Sequence, residues 1–437
     1  MIWDILRVAT GVGVLLGLAW AFSLNRRSMP WRLIFVALLT QFVVGMVLFH
    51  VELGRIIFST LNHAVNSLLE SARSGATFVF GPLALPPEAE GSLGFVLAFQ
   101  ALPIAIFFAA LTGLFYYLGI MQRIVGAMAG FFQRSLGVTG VEATTAASNL
   151  FVGIESMLTV RPYLANAKPH ELAVILTVGM ATIASTTLGL YVGILQPVFP
   201  NIAGHLLTAN LLSAPAAVMM SRILVPAPLP DKQSACSESD TSADKPNERE
   251  SWEISYGESA VEAVTQGANE GLKLAFGITA ALIAFVGLLA LVNAGLGGIG
   301  SWFGQPEVTL EAILAWIFLP FVWLIGVPSA DAFAVAELLA LRLIATEVPS
   351  YIALAGGIES GLWSDSRSVV ICAYALCGFA HIPSMGIFVG GLCALVPNQK
   401  AVIGKVAWRA LLAATLACLL TGAMAGLLSG QINLILQ

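Results

Sequence analysis

Long apolar runs closed by short polar stretches recur along the whole chain. Runs at 5–24, 31–49, 93–120, 172–195, 205–220, 274–296, 369–396 and 411–428 read as membrane-crossing helices, since about twenty apolar residues span a hydrocarbon core roughly 30 Å thick. Two further runs, 138–160 and 308–344, are apolar but interrupted. Asn149 and Gly153-Ile-Glu-Ser156 break the first, and Gly326-Val-Pro-Ser-Ala-Asp331 breaks the second. Two of the spans also carry a break: Gly179-Met-Ala-Thr-Ile-Ala-Ser185 in one and Gly378-Phe-Ala-His-Ile-Pro-Ser384 in the other. They share the pattern Gly-x-Ala-x-Ile-x-Ser. An interruption at bilayer depth frees backbone groups that lipid cannot satisfy, so it persists only against protein, water, an ion or a solute. Matching breaks in two halves of one chain are the mark of a carrier with its site at mid-depth. Two kinked helices packed through small residues are the plainer alternative.

The placement of Lys and Arg orients the spans. Arg26, Arg27 and Arg32 put the first loop inside, and Arg123, Arg134, Arg161 and Lys168 bracket the first interrupted run on the inner face. That run is expected to be a re-entrant hairpin with its tip near Gly153. The run 308–344 is expected to be a second hairpin, entering from outside with its tip at 326–331. Residues 50–77 and 258–273 mix charged and apolar positions and are expected to lie on the membrane surface, and 81–91 is a Pro/Gly-rich loop. The polar stretch rich in Ser, Asp, Glu, Lys and Pro after the fifth span reads as a flexible cytoplasmic linker. The fold class is therefore an all-α polytopic membrane protein, with eight transmembrane helices and two re-entrant helical hairpins in inverted repeats. Both termini are expected outside, in a cell (inner) membrane. The expected organisation is N-terminal scaffold helices at 1–121, a first transport repeat at 122–222, a linker at 223–257, an interfacial and scaffold helix at 258–300, and a second transport repeat at 301–437.

Composition agrees with this picture. Hydrophobic residues make up 58% of the chain and charged ones 10%, with a mean hydropathy of +0.87; soluble domains carry about 25% charged residues. The five cysteines show no metal spacing and suggest no disulfide framework. No phosphate-binding loop of the Walker type occurs, so ATP is not the expected energy source. The run 5–24 lacks a small-residue cleavage site and reads as a retained helix and not a signal peptide. No cofactor and no nucleic-acid partner is expected.

Four groups of residues are candidates for the site. Glu155 and Asp331 sit at the two expected hairpin tips, where an ionisable group costs at least ~2.5 kcal/mol to insert. As acceptors they suit a hydroxyl- or amine-bearing solute. His381 and Ser384 lie in the second break. The histidine can exchange hydrogen bonds with a solute, titrate near neutral pH, or simply bond a freed carbonyl. Asn149 and Thr182, with freed carbonyls of Val152 and Ile183, would make a small all-oxygen cage suited to sodium; ordinary interhelical bonding is the alternative. Glu142 and Glu337 read as structural or interfacial.

These residues sit within longer matches. Phe78-Val-Phe-Gly81, Leu102-Pro103 with Ile106-Phe-Phe108, and Tyr116-Tyr-Leu-Gly-Ile-Met121 are joined by Asn149-Leu-Phe-Val-Gly153 and Arg161-Pro-Tyr163. Gly326-Val-Pro328, Cys377-Gly-Phe-Ala380 and Ala394-Leu-Val-Pro397 follow. Through them nearly the full chain resembles the concentrative nucleoside transporter family. The resemblance implies a homotrimer with a scaffold and a transport domain that moves as an elevator. It also implies symport of a nucleoside with sodium, or with protons in some members. Carried over by position, Asn149, Val152, Thr182 and Ile183 fall on the sodium site and Glu155 on the glutamate that contacts the nucleobase. Asp331, Phe379, His381 and Ser384 fall on positions that hold the sugar and close the pocket. Ser156 and Thr187 complete the expected solute set. Departures cluster at the solute. The family's Gly-Gln-Thr-Glu-Ala-Pro is Gly153-Ile-Glu-Ser-Met157 here, the second-tip glutamate is Asp331, the asparagine of the second break is His381, and Asn-Glu-Phe is Thr346-Glu-Val348. On the ion side, Thr182 replaces a serine.

The expectation is a sodium-coupled nucleoside carrier in the lipid bilayer and no enzyme. Proton coupling through His381, and a modified nucleoside or nucleobase-like solute, remain open. A non-transporting receptor or a membrane enzyme acting on a lipid-linked substrate is the contrasting class. An enzyme would need a catalytic pair or metal cluster that the sequence does not display, and a receptor would have no need of paired hairpins.

Overall fold

The computed structural model describes residues 2–86, 89–153, 156–227, 257–302, 304 and 308–428. The expected linker therefore lies largely outside the described residues, as does Glu155. Among the described residues every regular element is helical. Seven helices are long and apolar enough to cross a membrane: Trp3–Ala21, Trp31–His50, Leu97–Tyr117, Pro169–Leu195, Ile202–Leu224, Ala260–Ser301 and Pro397–Leu428. Burial sorts them into centre and periphery. Pro169–Leu195 and Ile202–Leu224 are each 89% buried and Pro397–Leu428 is 83% buried, whereas Ala260–Ser301 is 11% buried. The three buried helices pack on one another and form the core.

The same order of four elements occurs twice around that core. First come Ile120–Leu136, the pair Gly140–Asn149 and Ser156–Leu164, the interrupted helix Pro169–Ala181 with Ser185–Leu195, and Ile202–Leu224. Then come Leu310–Leu324, the pair Ala332–Ile344 and Glu347–Glu359, the interrupted helix Ser366–Leu376 with Ile382–Leu395, and Lys400–Leu428. The two copies cross where the closing helices meet, with the Ser213 and Thr421 hydroxyls 3.1 Å apart.

This order corrects the expected second hairpin. The turn at 326–331 does not reach the interrupted helix at its break. Asp331 accepts hydrogen bonds from Ser364 N (3.0 Å), Asp365 N (3.3 Å) and Ser368 Oγ (2.5 Å). These donors start the helix Ser366–Leu376, about 16 Å from the break at its far end. The bend that does reach the break is at Ala345–Glu347, between Ala332–Ile344 and Glu347–Glu359. The apolar run 308–344 thus contains one element that leads into the pair and only the first arm of the pair. Two glycine-free residues, Ala345 and Thr346, make the inner bend, so nothing in the local sequence flags it as strongly as Gly326-Val-Pro328.

A second correction concerns 258–273. It is not a separate surface helix but the first part of Ala260–Ser301, a 42-residue helix about 63 Å long. Gly267 and Gly271, four residues apart, bring its backbone against Leu102–Tyr117. A Cβ on Gly267 would lie 2.6 Å from Ala109 O, and one on Gly271 2.7 Å from Ile106 Cα. Small residues at this spacing let membrane helices approach closely. The helix Glu52–Phe80 buries Asn62, Val65, Leu69, Ala72 and Ala76 on one face. Asn62 ties it to the core by accepting from Gly204 N at 3.1 Å.

At the base of the first repeat, Thr139 and Glu142 form a capping box on Gly140–Asn149. The buried Glu142 carboxylate also lies 3.3 Å from Arg222 Nε, off the axis of its N–H, as an ion pair. Removing one partner of a buried pair strands the other charge. Glu142→Ala is expected to cost about 3 kcal/mol, and adding Arg222→Met should recover part of it. Thermal unfolding of the detergent-solubilised protein measures both.

Candidate functional site

The first break is held by asparagine. Pro169–Ala181 ends where Thr182 turns extended (φ −121°, ψ 165°), which leaves Ile183 without a helical partner on either side. Asn210, buried in the core helix Ile202–Leu224, supplies both partners. Its Oδ1 accepts from Ile183 N at 2.9 Å, and its Nδ2 donates to Ile183 O at 2.8 Å and to Leu150 O at 3.2 Å. One side chain therefore ties the break to the first hairpin. A second tie comes from Ser185, whose N and Oγ both donate to Phe151 O, at 3.1 and 2.7 Å.

Around that anchor the expected ion residues come together. Asn149 Nδ2 lies 2.5 Å from Thr182 Oγ1 and 3.3 Å from Val178 O. Ser156 Oγ donates to Asn149 Oδ1 at 2.8 Å, and Thr182 Oγ1 donates to Val178 O at 2.9 Å. Asn149, Thr182 and Ile183 have no exposure, and Val152 and Ser156 are buried beside them. The groups available are amide, hydroxyl and carbonyl oxygens, the donor set of a hard cation and not of a transition metal. Among the described residues no cluster of three His, Cys, Asp or Glu could hold a metal. Ser156, expected at the solute, is hydrogen-bonded to Asn149 in this cluster. Thr187 is buried and donates to Ala184 O at 2.9 Å within its own helix.

The second break gathers the other chemistry. Ser366–Leu376 ends at Cys377, and Gly378 follows at φ +155°. A Cβ there would stand 2.7 Å from Cys418 Sγ and 2.8 Å from Ala181 O, so the two breaks touch at this glycine. His381 then caps Ile382–Leu395: its Nδ1 accepts from Ser384 N at 3.1 Å. Because Nδ1 accepts, the proton of the neutral ring sits on Nε2. Nε2 lies 2.9 Å from Ser384 Oγ and 2.6 Å from Glu347 Oε2. The Glu347 contact is off the N–H axis, a close polar approach and not a linear hydrogen bond. Tyr191, on the second half of the first interrupted helix, donates its phenol to Glu347 Oε1. Its ring lies 4.8 Å from that of Tyr351. The Phe379 ring stands edge-on to His381 at 6.4 Å and is partly exposed. The neighbouring Thr346 hydroxyl is buried with no hydrogen-bond partner among the described residues.

The carboxylate at the break is thus Glu347 and not Asp331, whose oxygens are consumed by the start of the same helix. Glu347, Tyr191 and Asn210 are the residues that sequence reasoning missed as a group. Asn210 is the lone amide in an apolar core helix, a signal that was readable. Glu347 lies between Arg342 and Glu359 in the sequence, in a charged stretch that carries no local sign of burial at a break. Phe379, His381 and Ser384 lie together at the second break. Chemically, the second break offers a carboxylate, an imidazole and hydroxyls at hydrogen-bonding distance, while the first offers only neutral oxygens and amides.

Comparison with known proteins gives consistent matches. Residues 205–426 match the family model "Na+ dependent nucleoside transporter C-terminus", 10–83 the corresponding N-terminus model and 98–198 "Nucleoside recognition". The nucleoside permease NupC of Helicobacter pylori is 33% identical over 436 residues, covering 98% of this chain and 99% of the permease. Solute carrier family 28 member 3 of Eptatretus stoutii is 35% identical over 94% of this chain. This chain covers 59% of that vertebrate relative's length. Among solved structures, a CNTnw variant in an outward-facing state matches with a TM-score of 0.89 and 30% identity, covering 99% of this chain and 100% of that one. CNTnw in an inward-facing substrate-bound state matches at 0.85 and 29%, covering 98% of each.

Three hydrogen bonds rest on the Asn210 amide, so Asn210→Ala is expected to destabilise the fold by about 3 kcal/mol. Thr187→Ala, which loses one bond within its own helix, should cost less than about 1 kcal/mol. Unfolding midpoints of the two purified variants test the contrast.

Proposed function

Because the chain belongs to the concentrative nucleoside transporter family, a family of transporters and not of enzymes, we propose that it imports a nucleoside by symport with sodium. The observation that carries this reading is the contact between two chemically different breaks. An ion cage and a solute-binding cluster that share a backbone junction at Gly378 and Ala181 are placed so that filling one favours filling the other.

Asn149, Thr182 and Ser156 would hold sodium with carbonyls of Val152 and Ile183, and the neutral oxygens suit a monovalent ion. Ser156 takes the ion side because its hydroxyl is bonded to Asn149. Glu347, His381, Ser384 and Phe379 would hold the solute, Glu347 accepting from sugar hydroxyls and Phe379 lying against an apolar face. Glu155 keeps the nucleobase role that the resemblance implies. Asp331 leaves the solute set. A modified nucleoside or nucleobase-like solute is the alternative cargo, since the first tip lacks the family's Gln, Thr and Pro.

The architecture we propose is eight spans with two re-entrant hairpins in inverted repeats, with hairpin tips at 150–156 and 345–347. Inverted repeats let one central site open to either side. The scaffold is drawn more narrowly than 1–121. Leu102–Tyr117 and Ala260–Ser301 pack on each other, whereas Ile2–Ala21 and Trp31–His50 pack on the core helices Ile202–Leu224 and Lys400–Leu428. The first two helices would therefore travel with the transport repeats 122–222 and 301–437. A homotrimer around the 102–117 and 260–301 pair, an inner-membrane location with both termini outside and a cytoplasmic linker at 223–257 complete the proposal.

One observation favours a second reading, proton coupling: an imidazole and a carboxylate meet at the break, His381 Nε2 lying 2.6 Å from Glu347 Oε2. Uptake of labelled uridine into proteoliposomes decides between them. Sodium coupling predicts that choline replacement stops uptake and that a proton gradient alone does not restore it; the opposite result transfers the coupling to His381 and Glu347. In the same assay Glu347→Gln should lower uptake about a hundredfold, the scale of removing one partner from a buried charged contact. Asp331→Asn should leave the half-saturating solute concentration unchanged. Equal effects of the two variants would contradict the assignment.

A further inference from the structure

Each break exposes the carbonyl end of a half-helix, where the aligned peptide dipoles leave about half a negative charge. The two ends are treated differently. At the first, Val178 O is bonded by neutral groups, the Thr182 N–H and hydroxyl and the Asn149 amide. The arm that leads to this break, Gly140–Asn149, contains no basic residue. At the second, Arg342 comes in from the corresponding arm, Ala332–Ile344, and its Nη1 donates to Ala375 O in the last turn of Ser366–Leu376. Tyr351 adds a hydrogen bond to Ala373 O at 3.2 Å.

Arg342 has no solvent exposure. Among the described residues it has no carboxylate within ion-pair distance, and its Nε and Nη2 have no hydrogen-bond partner. The thiols of Cys372 and Cys418 and the Tyr351 phenol are its neighbours. A charge so buried and unpaired costs several kcal/mol unless something nearby compensates it. Among the described residues the feature of opposite sign in contact with it is the helix end. A guanidinium spreads its charge over a plane and is more weakly hydrated than an ammonium, which suits this placement.

We propose that Arg342 is the resident cation of the second interrupted span: it neutralises the carbonyl end that, in the other repeat, is left for a transported ion. Only the first break then takes sodium, and each solute crosses with one sodium ion. Arg342 does not touch the solute in this account. It is a positioning residue that fixes the end of Ser366–Leu376 and, through Cys377 and Gly378, the placement of Phe379 and His381. The proposal rests on the sodium-symport reading above, and it can fail while that reading stands.

Reversal-potential measurements on proteoliposomes, with labelled uridine as the solute, give the ion-to-solute ratio directly. A ratio of one is expected. A ratio of two means a second ion site and overturns the proposal, although sodium coupling survives; no sodium-driven flux at all overturns the parent reading instead. Arg342→Lys and Arg342→Gln test the residue itself, with uridine binding and sodium binding in the absence of solute measured on the purified variants. Arg342→Lys should keep uridine affinity within about threefold, and Arg342→Gln should weaken it at least about tenfold while sodium affinity stays unchanged. Unchanged uridine affinity in Arg342→Gln, or an equal loss of sodium and uridine binding, overturns the proposal. If Arg342→Gln does not yield folded protein, the wild-type ratio and the Arg342→Lys affinities still decide.

Discussion

Two helices stop and restart in the middle of a protein whose solvent offers no hydrogen bonds, and every freed backbone group there must find a partner inside the chain. That constraint explains the otherwise odd distribution of polar residues. Asn210 satisfies both sides of Ile183, Ser185 ties Phe151, His381 caps Ile382–Leu395, and Arg342 and Tyr351 meet the end of Ser366–Leu376. None of these side chains is on the periphery, where the apolar exposed residues lie.

Satisfying the backbone also creates the functional chemistry. Partners that are neutral at one break and charged at the other leave two different clusters in contact. Tyr191 links them, because it stands on the first interrupted helix and donates to Glu347 of the second repeat, 156 residues away. The junction itself is made of small groups, Gly378 against Ala181 and Cys418. The two clusters share a wall.

The division of labour among the peripheral helices follows from the same packing. Gly267 and Gly271 lock Ala260–Ser301 onto Leu102–Tyr117 by close backbone approach. Within the interrupted helix, Gly189 and Gly193 lie against Phe108 and Ile104 of that pair, where flexible side-chain ends and not backbone atoms make the contact. The first interface is backbone on backbone, and the second is side chain on backbone.

The sequence by itself determined the membrane class, the number and order of apolar runs and the repeated Gly-x-Ala-x-Ile-x-Ser break. All of these follow from local composition and spacing, and a repeated motif carries its own cross-check. Tertiary structure alone decided which of two bends meets the second break. Gly326-Val-Pro328 is the louder turn signal, but Ala345 and Thr346 turn at the end of an arm that is packed to the right depth. It also decided that Asp331 serves a helix start while Glu347 meets His381, and that Arg342 is buried against carbonyls and not set in an outer loop. A carboxylate or guanidinium has the same letter code in either place. Its role is set by neighbours brought in from distant parts of the chain, and in a membrane those neighbours are the only solvent it has.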